Sequence, residues 1–322
     1  MLERQISLWA VLGLALLLAG TPAMAEPTYA ERLGWPPDAK VVIFHIDDTG
    51  MSHSSNVGTI KAMEDGVATS CSIMMPCAWV PEYAAYLKEH PDTDAGIHLT
   101  LTSEWDNYRW YPVAGINTVP GLVDEAGCMW GDVIQVVTHA TPDEVETEIR
   151  AQVDRALQMG IKPTHLDSHM GTLFATPAYT ERYIKVGIEK DIPVLFPGGH
   201  LQYAGQDLPV PKERIVETAR QIWDAGLPVV DDIFADTYGW ERGGKVARFS
   251  KLLREMQPGL LEIILHCTEP SDVFPLISGS SETRKGDLEA MLSDELRQVV
   301  DEEGIVLTTW RELKARRNKL PQ

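Results

Sequence analysis

Two adjacent carboxylates, Asp47 and Asp48, close the apolar run Val41–Ile46 and precede a turn glycine, Gly50. A run this rich in β-branched residues predicts a buried strand. Carboxylates at the mouth of a strand stand where open α/β sheets and β/α barrels place their chemistry. An Asp pair before a turn also arises for purely local reasons, so the pair alone decides little. Two later stretches, each ending a predicted strand, add imidazoles: Ala95-Gly96-Ile97-His98-Leu99 and Pro163-Thr164-His165-Leu166-Asp167-Ser168-His169. One Asp and two His from three strand ends make a reasonable divalent-metal site. His165 and His169 lie near the same strand end, and either could be the ligand. His45, inside the first strand, reads as buried and hydrogen-bonded. His53, His90, His139 and His200 read as packed or surface residues.

These residues need a scaffold, and the pattern around them alternates strand and helix. Predicted strands cover about Lys40–Ile46, Ser70–Met75, Asp94–Leu101, His165–Asp167, Val194–Phe196, Val229–Asp231, Leu260–Leu265 and Ile305–Thr308. Predicted helices run from the capping serines near Ser52 to about Asp65, then over Pro81–Glu89, Pro142–Gly160, Pro177–Lys190, Pro211–Ala225, Lys245–Met256 and Glu282–Glu303, with a short basic C-terminal helix. No linker interrupts the alternation after residue 26. The expectation is one α/β domain over residues 26–322, a TIM-barrel-like (β/α) barrel that is irregular or incompletely closed. A doubly wound sheet is the alternative, since sequence does not show whether a sheet closes.

Residues 103–132 break the rhythm with Trp105, Tyr108, Trp110, Tyr111 and Trp130. A loop of this length inside a domain is usually functional or mobile. Its rings suit either stacking on a sugar face or packing the loop down. Trp105, Trp110 and Trp240 are the candidate substrate-binding rings, with Asp236 beside Trp240.

Of the 322 residues, 44% are hydrophobic, enough for a substantial core. Residues 1–25 read as a secretory signal peptide: Arg4, an apolar core Leu8–Leu18, and the cleavage pattern Ala23-Met24-Ala25. That predicts export to a periplasm or the cell exterior, with no membrane span after cleavage. The formal charge of −19 survives cleavage, because Glu3 and Arg4 cancel. Such a surface repels nucleic acid and anionic lipid. Export permits disulfides, but the spacing of Cys71, Cys77, Cys128 and Cys267 is that of neither a stapled domain nor a zinc ribbon.

Together these motifs resemble the YdjC/ChbG carbohydrate deacetylase family, distant kin of the NodB-type polysaccharide deacetylases. The resemblance rests on Asp47-Asp48-Thr49-Gly50 with Asn56, on Gly96-Ile97-His98-Leu99, on Pro163–His169, and on Glu262-Ile263-Ile264-Leu265-His266. Thr69-Ser70-Cys71-Ser72 is similar to the family's second strand. The chain departs from the pattern at Thr49, where a Phe is usual, at Met170–Phe174, where the family is His-rich, and at Cys267-Thr268, where Pro-Gly is common. The resemblance implies that Asp48, His98 and His169 bind one divalent metal ion, zinc or magnesium. It implies Asp47 as general base, His266 as general acid, and His165 and Asp167 as groups that orient a ligand His.

The implied reaction is hydrolysis of an acetyl group, most often N-acetyl, from a sugar or oligosaccharide. The metal would polarise the carbonyl and acidify a water, Asp47 would take its proton, and His266 would protonate the leaving amine. Adjacent strand residues face opposite sides, so Asp47 and Asp48 can share a site only where the strand turns. Two alternatives stand: a non-catalytic carbohydrate-binding protein on a deacetylase scaffold, and a metal hydrolase of a non-sugar amide.

Overall fold

Parity along the first strand organises the domain. In the computed structural model, which describes residues 26–204 and 210–321, strand β1 runs Lys40–Thr49. Val42, Phe44 and Ile46 pack outward against the helices, while Val41 and Ile43 point the other way into a separate cluster with Leu195, Val230, Leu260 and Trp310. That second set is the floor of a barrel-like interior. Continuing the two-residue period upward puts His45 and then Asp47 above the floor.

The other strands are β2 (Ser70–Ile73), β3 (Ala95–Leu99), β4 (Leu166–Ser168), β5 (Asp232–Phe234), β6 (Gly259–Leu265) and β7 (Val306–Leu307). They form one parallel sheet in the order β4-β3-β2-β1-β6-β5. β1 pairs with β6 from Lys40↔Gly259 to Ile46↔Leu265. Its other edge is shared, β7 below at Val41–Val42 and β2 above from His45. Parallel strands require crossover connections, and helices supply them. β6 repeats the parity of β1: Leu261, Ile263 and Leu265 pack outward, so Leu260, Glu262, Ile264 and then His266 line the interior.

The wall is weakest between β4 and β5. Isolated bridges Leu166↔Val194 and Pro197↔Val230 carry it there in place of regular strands. The expected strands Val194–Phe196 and Val229–Asp231 are thus reduced to single bridges, and β5 begins at Asp232 instead. Pro197 and Pro228 explain the difference, since neither can donate to a ladder. The barrel is therefore irregular and incompletely closed. The expected helix Glu282–Glu303 is two helices, Ser281–Met291 and Asp294–Glu302. Ser293 makes the break: its side chain accepts from Leu296 N and caps the second helix.

The expected signal peptide, residues 1–25, lies outside the described residues. Among the described residues no helix is long and apolar enough to cross a membrane. Cys71, Cys77, Cys128 and Cys267 are free, buried thiols.

Gly96 shows how closely the interior is packed. A Cβ there would come within 2.5 Å of the His165 ring and 2.6 Å of its carbonyl oxygen. The glycine is what lets His165 lie against β3. Gly96→Ala should therefore cost about 1–3 kcal/mol of stability through overpacking, read as a lower urea midpoint at unchanged slope.

Candidate active site

The backbone solves the parity problem at Asp48. β1 shifts register between Ile46 and Thr49, and Asp48 adopts a left-handed conformation, φ 63°. This turns a residue that parity would send outward back toward the interior, beside Asp47. Asn56 secures the turn that follows: its Oδ1 accepts from Gly50 N at 2.7 Å, and its Nδ2 donates to Trp79 O and Glu82.

Three donor atoms then converge. Asp48 Oδ1 lies 3.3 Å from His98 Nε2 and 3.2 Å from His169 Nδ1, and the two nitrogens are 3.1 Å apart. Asp48 Oδ1 is buried without a hydrogen-bond partner among the described residues. Donors held about 2.0–2.2 Å from one ion lie roughly 3.0–3.5 Å apart, so the set fits a divalent cation. The remaining ring nitrogens face carboxylates. His98 Nδ1 is 2.7 Å from Asp167 Oδ1. His169 Nε2 is 3.1 Å from both oxygens of Glu104. Each carboxylate fixes a tautomer whose other nitrogen offers its lone pair to the centre.

His165 stands apart from this trio. Its ring stacks on Trp310 with centroids 5.2 Å apart, and its Nε2 is 3.9 Å from Asp167 Oδ2. Asp167 divides its oxygens between His98 and His45. His45 is wholly buried and contacts Ser70, Ser72, Asp47 and Asp167.

His266, one step beyond β6, places Nε2 3.9 Å from Asp47 Oδ2 and 3.9 Å from Asp48 Oδ2. Its backbone N–H donates to Asp287 Oδ2 at 3.0 Å, and Asp287 is paired with buried Lys245 at 2.6 Å. Burial first, and then the nearby Arg284 charge, push the imidazole down to about 4. His266 is therefore neutral at neutral pH.

Arg284 and Glu104 escape sequence reasoning. Arg284, on the helix Ser281–Met291, donates from Nη2 to Asp48 Oδ2 at 2.6 Å and from Nε to Ser280 Oγ. Its guanidinium lies among the rings of Tyr238, Trp105 and Phe274. Burial alone would raise the Asp48 carboxyl, but Arg284 and the two imidazoles hold it well below the usual carboxylate range. A basic residue on a helix ordinarily reads as surface, and no local signal marked this one. Glu104 had a positional signal only: it follows the β3 motif at the head of the aromatic loop.

The described residues enclose a cleft of about 1490 Å³ over the site, with Trp105, Phe234, Asp236 and Tyr238 in its walls. Trp110 and Trp240 do not line it. Trp110 is buried against Met51, Met74 and Phe274, with its N–H on Thr102 O. Trp240 packs on Phe234 and Phe249. Both rings are engaged in packing rather than set in the cleft wall.

A YdjC-like protein family profile matches residues 41–302. A carbohydrate deacetylase of Thermus thermophilus is 31% identical over 284 residues, spanning 88% of this chain and 97% of that one. A chitooligosaccharide deacetylase of Yersinia enterocolitica is 25% identical over 274 residues, spanning 84% and 98%. A solved structure from Enterococcus faecalis, provisionally named a cellobiose-phosphate cleavage protein, is similar in fold. It superposes with a TM-score of 0.74 at 22% identity, covering 85% of this chain and 99% of that one.

Glu104→Ala removes the group that orients His169. Zinc affinity should fall roughly 10–100-fold, measured by competition with a chromogenic chelator, while far-UV circular dichroism is unchanged. Affinity within twofold of wild type would show that Glu104 does not orient a ligand.

Proposed function

The chain belongs to the YdjC-like protein family, and from that premise we propose that it is an exported, metal-dependent carbohydrate deacetylase. The observation that carries the reading is the convergence of Asp48 Oδ1, His98 Nε2 and His169 Nδ1 beside the Asp47 carboxylate and the His266 imidazole. The names borne by its relatives support the same chemistry. The clustering of these side chains at one cleft supports catalysis over the non-catalytic alternative.

Asp48, His98 and His169 would hold the cation, and two imidazoles suit zinc better than magnesium. Bound there, a divalent cation would polarise the acetyl carbonyl and acidify an attacking water. Asp47 Oδ2 faces the cleft, 3.9 Å from His266 Nε2, and takes the water's proton as oxygen adds to the acetyl carbon. His266 rests neutral, so it must gain a proton before it can give one. Asp47 is the nearest source, and His266 passes the proton to the amine as the C–N bond breaks, leaving acetate and a free amino sugar. Arg284 keeps Asp48 ionised and so available to a cation. Trp105 and Tyr238 offer apolar faces suited to a pyranose ring. Export rests on residues 1–25, whose charge, apolar core and cleavage pattern are those of a signal peptide.

The decisive experiment is acetate release from acetylated sugars and chito-oligosaccharides by mature protein, stripped of metal and then given zinc. Release should require the metal and vanish in Asp48→Asn. Asp47→Asn should lower kcat by about 10²–10⁴-fold with KM little changed. Silence across the panel from protein with bound zinc would overturn the reading. N-terminal sequencing of the exported protein should begin at Glu26.

A further inference from the structure

His45 sits where two separate parts of the site meet. On the inward face of β1 it lies one step below Asp47, and it is wholly buried. Its Nε2 is 2.9 Å from Asp167 Oδ2, 3.2 Å from Asp47 Oδ1 and 3.1 Å from Ser72 Oγ. Its Nδ1 is 3.1 Å from Ser70 Oγ and 3.5 Å from Glu262 Oε1. The edge of the His165 ring packs against it, with centroids 4.9 Å apart.

The two carboxylates on Nε2 share a pattern. Asp167 turns Oδ2 to His45 and Oδ1 to His98 Nδ1. Asp47 turns Oδ1 to His45 and leaves Oδ2 toward His98 and His266. In each case the rear oxygen is buried without a hydrogen-bond partner among the described residues and lies within ion-pair reach of one imidazole, while the front oxygen faces the site. We propose that His45 is a positioning residue that sets Asp47 and the Asp167–His98 pair at once, coupling the orientation of the base to that of a metal-holding imidazole. This rests on the reading of Asp47 as base and His98 as ligand.

Charge supports the geometry. Burial opposes a charged ring, yet Glu262, Asp167 and Asp47 around it hold His45 well above the usual imidazole range. A cationic ring attracts both rear oxygens through its charge, where a neutral ring offers Nε2 either one uncharged N–H or a lone pair that repels them. Ser70 and Ser72 fix the ring plane, so the contacts have direction as well as charge.

The test uses full-length mature protein, with zinc as the probe. His45→Leu should weaken zinc binding about 10–100-fold, and lower kcat for acetate release at least tenfold with KM within a few-fold. His45→Gln keeps an N–H donor near Nε2 and should recover part of both losses, a gradation that simple cavity filling does not predict. Histidine-selective ¹⁵N NMR on unaltered protein should show both His45 nitrogens protonated at pH 7, a readout independent of how the variants fold. A neutral ring, or folded variants with zinc affinity and kcat within twofold of wild type, would overturn the proposal. So would two zinc ions per wild-type chain, which would make His45 a ligand with His165 and Asp167. Absence of acetate release from the wild type would count against the deacetylase reading alone, since zinc affinity and NMR still judge His45.

Discussion

The site depends on one backbone conformation. Side chains alternate along a strand, so a neighbouring pair cannot ordinarily serve the same face. Asp48 evades that rule by turning left-handed at the register shift in β1. Such a turn costs an L-residue roughly 1–2 kcal/mol, and Asp tolerates it better than most. The cost is offset at both ends of the residue. Asn56 binds the next turn of backbone, and Arg284 with two imidazoles surrounds the carboxylate. Arg284 lies 236 positions along the chain, so the local geometry of the Asp pair is completed only when the C-terminal helices dock. A carboxylate buried this deeply without its cation would otherwise be protonated or expelled.

Above the floor, the interior is layered by the same parity. Val41, Ile43 and Leu260 form the apolar base, with Trp310 across it. His45, His165, Asp167 and Glu262 fill the middle, and Asp47, His98, His169 and His266 form the working layer. Charge is graded through these layers. Burial pushes Glu262 up to about 8 against the pull of His45, whereas Asp167, between two imidazoles, is held low. Similar carboxyls are thus shifted in opposite directions within one layer, set by which partners each one faces. Removing one member of such a buried network strands its partner's charge, which costs more than the contact itself.

This layering explains what could be read from sequence. Asp47, Asp48, His98, His169 and His266 end apolar strands, and a strand end fixes both height and face. Strand-end position draws attention to the Asp pair and to His98, while His266 and the choice of His169 come only with the family resemblance. Periodicity alone cannot separate His169 from His165, since the two flank β4 with the same parity and differ in height. Arg284 and Glu104 belong to a helix and a loop whose docking no local pattern encodes. Trp110 and Trp240 show that composition cannot tell a ring that lines a cleft from one that packs a loop down. The lost strands near Val194 and Val229 follow from prolines whose effect on the ladder depends on which edge must pair.

The aromatic segment bears on how the site is kept in shape. Its length marks it as functional or mobile, and its backbone is strapped to the helix Pro142–Gln158 at two points one turn apart. Glu144 Oε1 accepts from Gly121 N at 2.6 Å, and Glu148 accepts from Val113 N and Ala114 N at 2.9 and 2.8 Å. Burial raises the Glu148 carboxyl to about 7, although the backbone donors and Gln152 oppose it, so the strap is an expensive one to keep. Arg109 ties the segment to itself through Ser103, Asp124 and Met129, and Trp110 plugs it into the core. The residues gained for this expense are Glu104 and Trp105, at the head of the segment and on the cleft. Glu104 must hold the outer nitrogen of His169, because Asp167 already serves His98. A loop free to open would release that imidazole with every excursion. The straps therefore belong to the same device as the Asp48 turn: each spends local stability to keep one donor aimed at a centre that no single element of the fold could assemble.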